Sequence, residues 1–259
     1  MKLSAIVIAK NEQQRIKRCV SSLSFADEII VIDNASTDQT GEIAKNLGAT
    51  VIANNERDFA KLRNIGSDTA RGEWMLYIDA DEIVSDELAR EITEVIRQSF
   101  RRPQRPGSGV KLYAIRRQNY YLGILWPHEE KILRLFHRSA LTEWYGKLHE
   151  SPRTEGVAGE LHGAVVHDTH RTLEEMVAKT NEWSDVEARL RFHAGHPQMT
   201  YWRFLRVMVT AFYDSFIRQE GWRTGTVGWV ESIYQSFSIF VTYAKLWELQ
   251  KQEAESQQG

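Results

Sequence analysis

Trp74-Met75-Leu76-Tyr77-Ile78 is followed directly by Asp79-Ala80-Asp81-Glu82, and this segment is the most informative one in the chain. The apolar run is typical of a strand buried on both faces, and the acidic residues come where such a strand would end. In an extended backbone, residues two apart point the same way and lie about 6.5 to 7 Å from one another. Asp79 and Asp81 are therefore predicted to address one ligand together. Carboxylate oxygens are ligands that Mg²⁺ or Mn²⁺ prefers, so we expect a metal site suited to a nucleotide diphosphate.

Two more polar clusters follow apolar runs earlier in the chain. Ala9-Lys10-Asn11-Glu12 comes after a run that ends at Ile8, and the segment from Asp33 to Asp38 comes after a run that ends at Ile32. Each cluster alone has an ordinary explanation, because Asn and Asp cap helices and form turns. In an open α/β sheet, however, the loops at the carboxyl ends of parallel strands lie on one edge. The three clusters are therefore predicted to share one ligand crevice.

The alternation of strands and helices predicts an α/β fold. Four short apolar runs, most of them rich in β-branched residues, alternate with helix-like segments in the first 80 residues, which is typical of parallel strands joined by crossover helices. The runs lie at 4–8, 28–32, 50–52 and 74–78. Asn11 has capping-box spacing to Gln14, which places the start of the first helix at Asn11. The second helix is predicted between Asp38 and Gly48, and the third from Phe59 to Ala70.

The pattern changes after the acidic stretch. Ser85 is placed to cap a helix that runs to Phe100, followed by an exposed loop over 101–109. Short apolar runs between 110 and 167 predict further strands of the same sheet, some of them antiparallel. Thr172 and Glu175 have capping-box spacing before a long helix that stops near Gly195, and the segment 199–249 is aromatic-rich and helical in period.

Composition excludes several classes of protein. The 259 residues include 42% apolar and 26% charged residues, as in an ordinary globular protein. A net charge of -2 is not the strongly basic footprint of a nucleic-acid-binding protein, so no nucleic acid is expected as a partner. Cys19 is the only cysteine and is expected to pack as a small apolar residue in a reducing compartment. No apolar segment is long enough for a membrane-spanning helix, and the chain is predicted to stay in the cytoplasm.

Other nucleotide-binding folds lack support in the sequence. The loop after the first strand has none of the glycines of a dinucleotide-binding fingerprint, and no Walker-type glycine-lysine loop occurs. Asp79 could act as a carboxylate nucleophile in phosphoryl transfer, but the Asp33 cluster would then have no role. A metal-bound nucleotide would use both clusters.

Four ordered motifs together resemble the inverting family-2 glycosyltransferases of the GT-A fold. They are Ile8 to Glu12, Val31 to Asp38, the stretch from Phe59-Ala60-Lys61-Leu62-Arg63-Asn64 to Gly72, and Trp74 to Glu82. The resemblance is greatest to the bacterial branch that builds lipopolysaccharide cores and related envelope glycans. It implies a sandwich with a mostly parallel central sheet flanked by helices and a C-terminal helical extension. The catalytic domain would span 1–170, with a nucleotide-sugar half at 1–100 and an acceptor-side half at 110–170, and the extension would span 171–259.

The resemblance also implies roles for individual residues. Asp33 would contact the nucleotide base, Asp79 the ribose or the metal, and Asp81 the metal. The donor, expected to be a UDP-sugar, would be bound with Mg²⁺ or Mn²⁺. The remaining residues expected to line the donor pocket are Ala9, Asn11, Glu12, Lys61, Arg63 and Ala80.

An inverting transfer needs a general base for the acceptor hydroxyl. The first candidate is Glu150 in Gly146-Lys147-Leu148-His149-Glu150, which resembles the family's acceptor-side His-Glu motif. Asp168 is the alternative base. His167 is a candidate metal or phosphate ligand, although a histidine at a strand end is also commonly structural. The Gln-x-x-Arg-Trp motif of processive relatives is absent, which favours a single sugar addition over polymerisation.

The C-terminal segment allows two interpretations. Aromatic residues between 199 and 250 alternate with arginines, which suits peripheral contact with the inner face of the cytoplasmic membrane or with a lipid-linked acceptor. The same periodicity suits a helical lid that packs on the domain or on a second subunit of a homo-oligomer. Two alternatives to a glycosyltransferase also stay open, a nucleotidyltransferase of similar architecture and a non-catalytic sugar-nucleotide-binding protein. The first would be expected to carry a Gly-rich, Arg-containing loop where this chain has Ala9-Lys10-Asn11-Glu12.

Overall fold

The computed structural model describes residues 2–56, 58–101, 109–146 and 150–256. The chain divides into two compact units. The first unit consists of residues 1–118 and 129–167, and the second of residues 119–128 and 168–259.

The parallel part of the main sheet lies in the first unit. Its strands are ordered β3-β2-β1-β4, and each neighbouring pair is parallel. The sequence alternation that predicted parallel strands with crossover helices is confirmed for this part. The strands are β1 (Leu3–Ala9), β2 (Glu28–Asn34), β3 (Thr50–Asn54) and β4 (Trp74–Asp79), and the helices are α1 (Ile16–Ser22), α2 (Thr40–Asn46) and α3 (Phe59–Thr69).

The second part of the sheet makes it mixed. The order continues from β4 through β8, β6 and β11 to β5, and the β4–β8, β8–β6 and β11–β5 pairings are antiparallel. The α/β class is therefore confirmed, while a mostly parallel sheet is found only in the first part. The further elements are β5 (Glu82–Val84), α4 (Asp86–Arg101), β6 (Val110–Tyr121), β7 (Ile124–Leu125), β8 (Glu130–His137), a short 3₁₀ helix (Arg138–Ala140), β9 (Leu141–Tyr145), β10 (Ser151–Thr154) and β11 (Val157–His170). The strands β9 and β10 form a separate antiparallel pair.

Both faces of the sheet are covered. Val7 belongs to a core that includes α1, α2 and α4, while its neighbours Ile6 and Ile8 belong to a second core that includes α3. Alternate strand residues thus enter different cores, which explains the continuous apolar runs in the sequence. Cys19 lies fully buried in the first core, as predicted, and its burial and the acidic groups near it raise the pKa of its thiol.

Helix boundaries follow the local capping signals in most cases. The Ser85 hydroxyl accepts a hydrogen bond from Leu88 N, and Thr172 Oγ1 accepts one from Glu175 N, as their spacing predicts. The predicted cap at Asn11 is wrong, because α1 begins only at Ile16. Asn11 instead has a left-handed φ of 55°, and its Oδ1 accepts a hydrogen bond from Thr37 N at 2.8 Å. The predicted loop at 101–109 falls mostly outside the described residues.

The second unit is mainly helical, as predicted for the C-terminal segment. A small core of Ala188, Met199, Tyr243 and Leu246 joins its helices. Across the described ranges, no helix combines the length and the apolar character needed to cross a membrane. The elements are α5 (Leu173–His193), α6 (Tyr201–Tyr213), a π-helical turn (Asp214–Arg218), a 3₁₀ turn (Gly221–Thr224) and α7 (Thr226–Ser256).

Candidate active site

The acidic stretch bends where the sequence predicted an extended strand. Asp79 is the last residue of β4, Ala80 and Asp81 form a turn, and Glu82 begins β5. Ala80 is buried, and its N donates to Ile8 O at 3.2 Å, which ties the turn to β1. The expectation of an extended backbone from Asp79 to Asp81 is therefore wrong. Each carboxylate has its own set of cationic neighbours.

Asp79 lies between two arginines. Its Oδ2 accepts a hydrogen bond from Arg134 Nη2 at 2.6 Å, and its Oδ1 accepts one from Arg63 Nη2 at 2.9 Å. Burial acts to raise the pKa of the Asp79 carboxyl, but the charges of Arg134 and Arg63 outweigh it and hold this pKa well below its usual range. Asp79 is thus ionised, and both of its oxygens are bound to guanidinium groups.

Glu82 is fully buried and extends these ion pairs, which we call the charge network. Its Oε2 accepts a hydrogen bond from Asp79 N at 2.9 Å, and its Oε1 lies 3.4 Å from Arg134 Nη2 and 3.6 Å from Arg117 Nη1. Burial raises the pKa of Glu82, the charge of Arg134 lowers it, and the charge of Asp79 raises it further, so the pKa lies above its ordinary value. Arg117 also pairs with Glu130. Carboxylates and guanidinium groups therefore alternate along a series of ion pairs whose most buried member is Glu82.

Arg63 links Asp79 to Glu150. The Glu150 Oε1 accepts hydrogen bonds from Arg63 Nε at 2.9 Å and from Arg63 Nη2 at 2.8 Å. Within the described ranges, Oε2 of Glu150 has no hydrogen-bond partner, and the side chain is 17% exposed. One guanidinium group therefore fixes the Glu150 carboxylate through one oxygen and leaves the other available to accept a proton.

Two buried donors beside this bridge have no acceptor among the residues that the structure describes. They are Nη1 of Arg63 and Nε1 of Trp144. The guanidinium group lies over the Trp144 ring, 4.9 Å from its centroid. Because an unpaired buried donor costs free energy, this pair suits an acceptor-rich ligand.

Asp81 faces a different set of groups. Its Oδ2 lies 3.3 Å from Nε2 of His167 and 3.8 Å from Nη1 of Arg15. No cluster of three or more His, Cys, Asp or Glu side chains with metal-ligand geometry occurs in the described part of the chain. A carboxylate beside an imidazole nevertheless fits Mg²⁺ or Mn²⁺, since Mg²⁺ commonly binds one or two protein groups, substrate phosphates and waters. Asp79 fits a metal less well, because two arginines already neutralise it.

Asp33 lies at the same sheet edge on the far side of β1. Its backbone is paired in register with Ala9, and Asp79 is paired with Ile8 on the opposite side of β1. The Asp33 Oδ1 accepts a hydrogen bond from Ser36 N at 3.1 Å. A Cβ at Gly41 would lie 2.7 Å from Asp33 Oδ2, so the glycine leaves space for this carboxylate against α2.

The loops after β1 and β2 are joined by hydrogen bonds. Asn11 N donates to Ser36 Oγ at 2.9 Å, and Glu12 N donates to Thr40 Oγ1 at 2.7 Å. The Glu12 carboxylate forms an ion pair with Arg15. Asn11 and Glu12 thus fix the shape of the crevice wall.

A family model connects this geometry to known proteins. The model described as glycosyl transferase family 2 matches residues 4–146, which is more than half of the chain. The chain belongs to glycosyl transferase family 2. The match includes Asp33, Arg63, Asp79 and Asp81, whereas Glu150 and His167 follow it along the chain.

Curated relatives extend over nearly the whole family-2 chain. An uncharacterized glycosyltransferase of Rickettsia bellii is 30% identical, over 97% of this chain and 88% of its own length. The lipopolysaccharide core biosynthesis glycosyltransferase LpsC of Rhizobium meliloti is 25% identical, over 95% of this chain and 92% of its own length. Among solved structures, S. aureus TarS 1–349 in complex with UDP is similar at 15% identity and a TM-score of 0.46, covering 98% of this chain and 92% of that one.

Two of the predicted site residues stand apart from the charge network. Lys61 is 63% exposed on α3 and pairs with Glu56 at 3.1 Å. Asp168 follows His167 on β11, belongs to the second unit, and makes no side-chain hydrogen bond or ion pair among the described residues. Of the two candidate bases, only Glu150 is held by a side-chain partner in the described ranges.

Sequence reasoning missed Arg134 and Arg117 and gave Glu82 no role. Arg134 is the single charged residue in Ile132-Leu133-Arg134-Leu135-Phe136, a run read only as a strand. A lone arginine inside an apolar strand indicates a buried charge that needs an acidic partner. The arginine itself therefore indicates a buried ion pair, but its partner Asp79 lies 55 residues away in the chain and cannot be identified from local spacing.

Proposed function

We propose that the chain transfers a single sugar, with inversion, from a nucleotide-diphospho-sugar to a glycan or lipid-linked acceptor of a bacterial envelope polysaccharide. The observation that carries this proposal is the Arg63 bridge, which brings Glu150 beside the acidic turn with Oε2 free among the described residues. The similarity to LpsC over nearly the whole chain supports lipopolysaccharide as the product class. We place the reaction on the cytoplasmic side, where nucleotide sugars are donors, and take a UDP-sugar as the first donor to test.

Asp81 and His167 would hold Mg²⁺ or Mn²⁺ beside the turn that Ala80 and Asp81 form. Their 3.3 Å contact supports a shared ion, and the remaining positions would be completed by donor phosphates and water. When bound, the ion supplies neutralisation of the charge that develops on the departing diphosphate. Arg63 Nη1 and Trp144 Nε1 are buried donors without an acceptor among the described residues and would bind donor oxygens.

Glu150 would act as the general base. An acceptor hydroxyl oxygen attacks the anomeric carbon of the donor, the bond from that carbon to the diphosphate oxygen breaks, and Oε2 of Glu150 takes the hydroxyl proton. Arg63 orients this step because it binds Oε1 through two hydrogen bonds. Asp33, with Ala9 beside it, would receive the nucleotide base at the other side of β1.

A Glu150→Gln substitution tests the base. The amide preserves shape and can still accept from Arg63, so donor binding should persist while transfer falls by about 10² to 10⁴. Two matched variants serve as controls, Glu143→Gln, which changes an exposed carboxylate paired with Arg153, and Asp168→Asn, which removes the alternative base. Full turnover in Glu150→Gln together with loss in Asp168→Asn would reassign the base.

The donor is tested by a panel of nucleotide sugars. Slow hydrolysis and thermal stabilisation are measured for each with Mn²⁺, with Mg²⁺ and with a chelator. We expect one donor to be selected and its binding to need the divalent ion. Turnover that persists with the chelator would contradict the metal role, and binding without turnover for every donor and acceptor would favour the non-catalytic alternative.

A further inference from the structure

The second unit carries an apolar stripe along α7 that faces outward. Trp229, Ile233, Phe237, Phe240 and Trp247 are 40% to 57% exposed. Their spacing of three, four or seven residues puts them on one side of a helix. The inward side of the same helix includes the buried residues Tyr234, Tyr243 and Leu246. The helix is therefore apolar on its outer side as well as on its inner side.

A second outward stripe lies on α6 beside the first. Trp202, Leu205, Val209 and Tyr213 are 52% to 63% exposed. Ring contacts join the two helices, Phe204 to Phe240 at 5.7 Å and Phe212 to Trp229 at 5.6 Å. We call the stripes on α6 and α7 together the aromatic face. A contiguous apolar surface of this kind is uncommon on a soluble monomer and marks an interaction site.

Two arginines of α6 without an ion-pair partner among the described residues lie beside the aromatic face. Arg203 and Arg206 are the only charged residues of α6, so this helix has no acidic side chain. Neither arginine makes an ion pair or a side-chain hydrogen bond with any other described residue. Together with Thr200 and Trp202 they line an open recess of about 310 Å³. The recess offers positive charge and hydrogen-bond donors next to an apolar surface.

Acidic groups near the other end of α6 are already neutralised. Asp214 pairs with Arg218 at 2.8 Å, and Glu220 pairs with Arg223 at 2.5 Å. Glu231 of α7 is fully buried and pairs with His170 at 3.1 Å. On the α6 side of the aromatic face the charge left without a partner is therefore positive, whereas on α7 the exposed Glu248, next to Trp247, has no ion-pair partner among the described residues. The positive charge on the α6 side complements an anionic surface.

We propose that the aromatic face docks on the surface of an anionic lipid bilayer, with Arg203 and Arg206 against lipid phosphates. Tryptophan and tyrosine favour the interface between water and hydrocarbon, and arginine keeps its charge in the headgroup layer while its stem contacts acyl chains. A helix pair with apolar side chains on one face and cations at its edge lies flat on such a surface. Docking needs neither a sugar donor nor an acceptor, so it is independent of the function proposed above.

The test is sedimentation of the full chain with lipid vesicles. Vesicles of phosphatidylglycerol mixed with phosphatidylcholine should bind it, and vesicles of phosphatidylcholine alone should bind it more weakly. Arg203→Gln with Arg206→Gln should weaken binding to the anionic vesicles about 30-fold, because each arginine near an anionic surface contributes about fivefold. Trp229→Ser with Phe237→Ser should weaken binding to both kinds of vesicle about tenfold or more.

Matched controls separate docking from a general effect of substitution. Arg189→Gln removes a 62% exposed arginine of α5, and Val157→Ser removes a 67% exposed apolar residue of β11. Both should bind vesicles like the unchanged protein, and thermal unfolding should show that all variants are folded.

Two outcomes would overturn the proposal. The first is failure of the intact chain to bind anionic vesicles at low salt. The second is a concentration-dependent dimer in sedimentation velocity that Trp229→Ser with Phe237→Ser dissociates while vesicle binding is unchanged, which would assign the face to a second copy of the chain.

Discussion

Asp79 and Asp81 stand two residues apart, yet the two sides of their turn differ in electrostatic character. On the Asp79 side, Arg63 and Arg134 bind both carboxylate oxygens, and the cluster continues inward to Glu82. On the Asp81 side, the neighbours are His167 at 3.3 Å and Arg15 at 3.8 Å. An acidic motif that looks uniform in sequence therefore contains one carboxylate committed to internal ion pairs and one suited to a metal ion.

Sheet topology causes this difference. Asp79 ends a strand whose neighbour β8 supplies Arg134, while α3 supplies Arg63. Asp81 lies in the turn directly before β5, and the pairing of β11 with β5 brings His167 into register with Glu82. We infer that Asp79 organises the site from within and that Asp81 binds the metal.

The largest effect is expected when Asp81 is changed. Asp81→Asn keeps the size of the side chain but removes the charge that would hold the ion, so transfer should fall by about 10³, equivalent to several kcal/mol of lost stabilisation of the leaving group. Steady-state rates with excess Mn²⁺ measure this. Asp86→Asn, which changes an acidic residue of the first turn of α4, is the control. A rate within a few fold of the unchanged protein would contradict the role of Asp81.

Changing Asp79 should affect stability most. Asp79→Asn removes the carboxylate that Arg63 and Arg134 share and leaves them only Glu150 and Glu82 as acidic partners, so the free energy of unfolding should fall by about 3 kcal/mol. Urea unfolding at neutral pH measures the change. If Asp79→Asn unfolds like the unchanged protein, the two ion pairs contribute nothing to the fold and the contrast with Asp81 fails.

The stability of the unchanged protein and that of Asp79→Asn should depend differently on pH. Because the pKa of Asp79 is lower in the folded protein than in the unfolded chain, its contribution to stability is present above about pH 4 and is lost as the pH falls through the folded value. The stability difference between the unchanged protein and Asp79→Asn should therefore shrink below about pH 4. Other carboxyls with lowered pKa values, such as Asp27, are common to both proteins and cancel. A difference that stays constant with pH would contradict the ionised state of Asp79.

A smaller effect is expected at the far side of β1. Gly41→Ala would push the Asp33 carboxylate away from α2, because the new Cβ would lie 2.7 Å from Asp33 Oδ2. Nucleotide binding should weaken about five- to tenfold, the size of one lost hydrogen bond, with little change in stability. Glu42→Ala on the same helix is the control. Equal affinities would remove Asp33 from the donor pocket.

Much of the fold could be predicted because its signals are local. The strands at 28–32 and 74–78 and the caps at Ser85 and Thr172 follow from neighbouring residues alone. The cap at Asn11 was wrong because Thr37, on another loop, binds its side chain. Local spacing predicts where a helix starts only when no residue distant in sequence binds the side chain of the capping residue.

The charge network could not be predicted from spacing. Two-residue periodicity predicts an extended backbone from Asp79 to Asp81, but Ala80 and Asp81 lie in a turn. The partner Arg134 comes from an antiparallel strand that no local pattern assigns to the neighbour of β4. The family resemblance did lead to Glu150, whose contact with Arg63 joins residues 87 apart. Long-range pairing therefore determines which basic partners each acidic residue has.

The claim that Asp81, and not Asp79, binds the metal is tested by calorimetric titration of Asp79→Asn and Asp81→Asn with UDP. Each variant is titrated with and without Mn²⁺, at a temperature where both are folded. We expect Asp79→Asn to retain Mn²⁺-dependent binding and Asp81→Asn to lose it. Loss of the Mn²⁺ dependence in Asp79→Asn with retention in Asp81→Asn would assign the metal to Asp79 instead of Asp81.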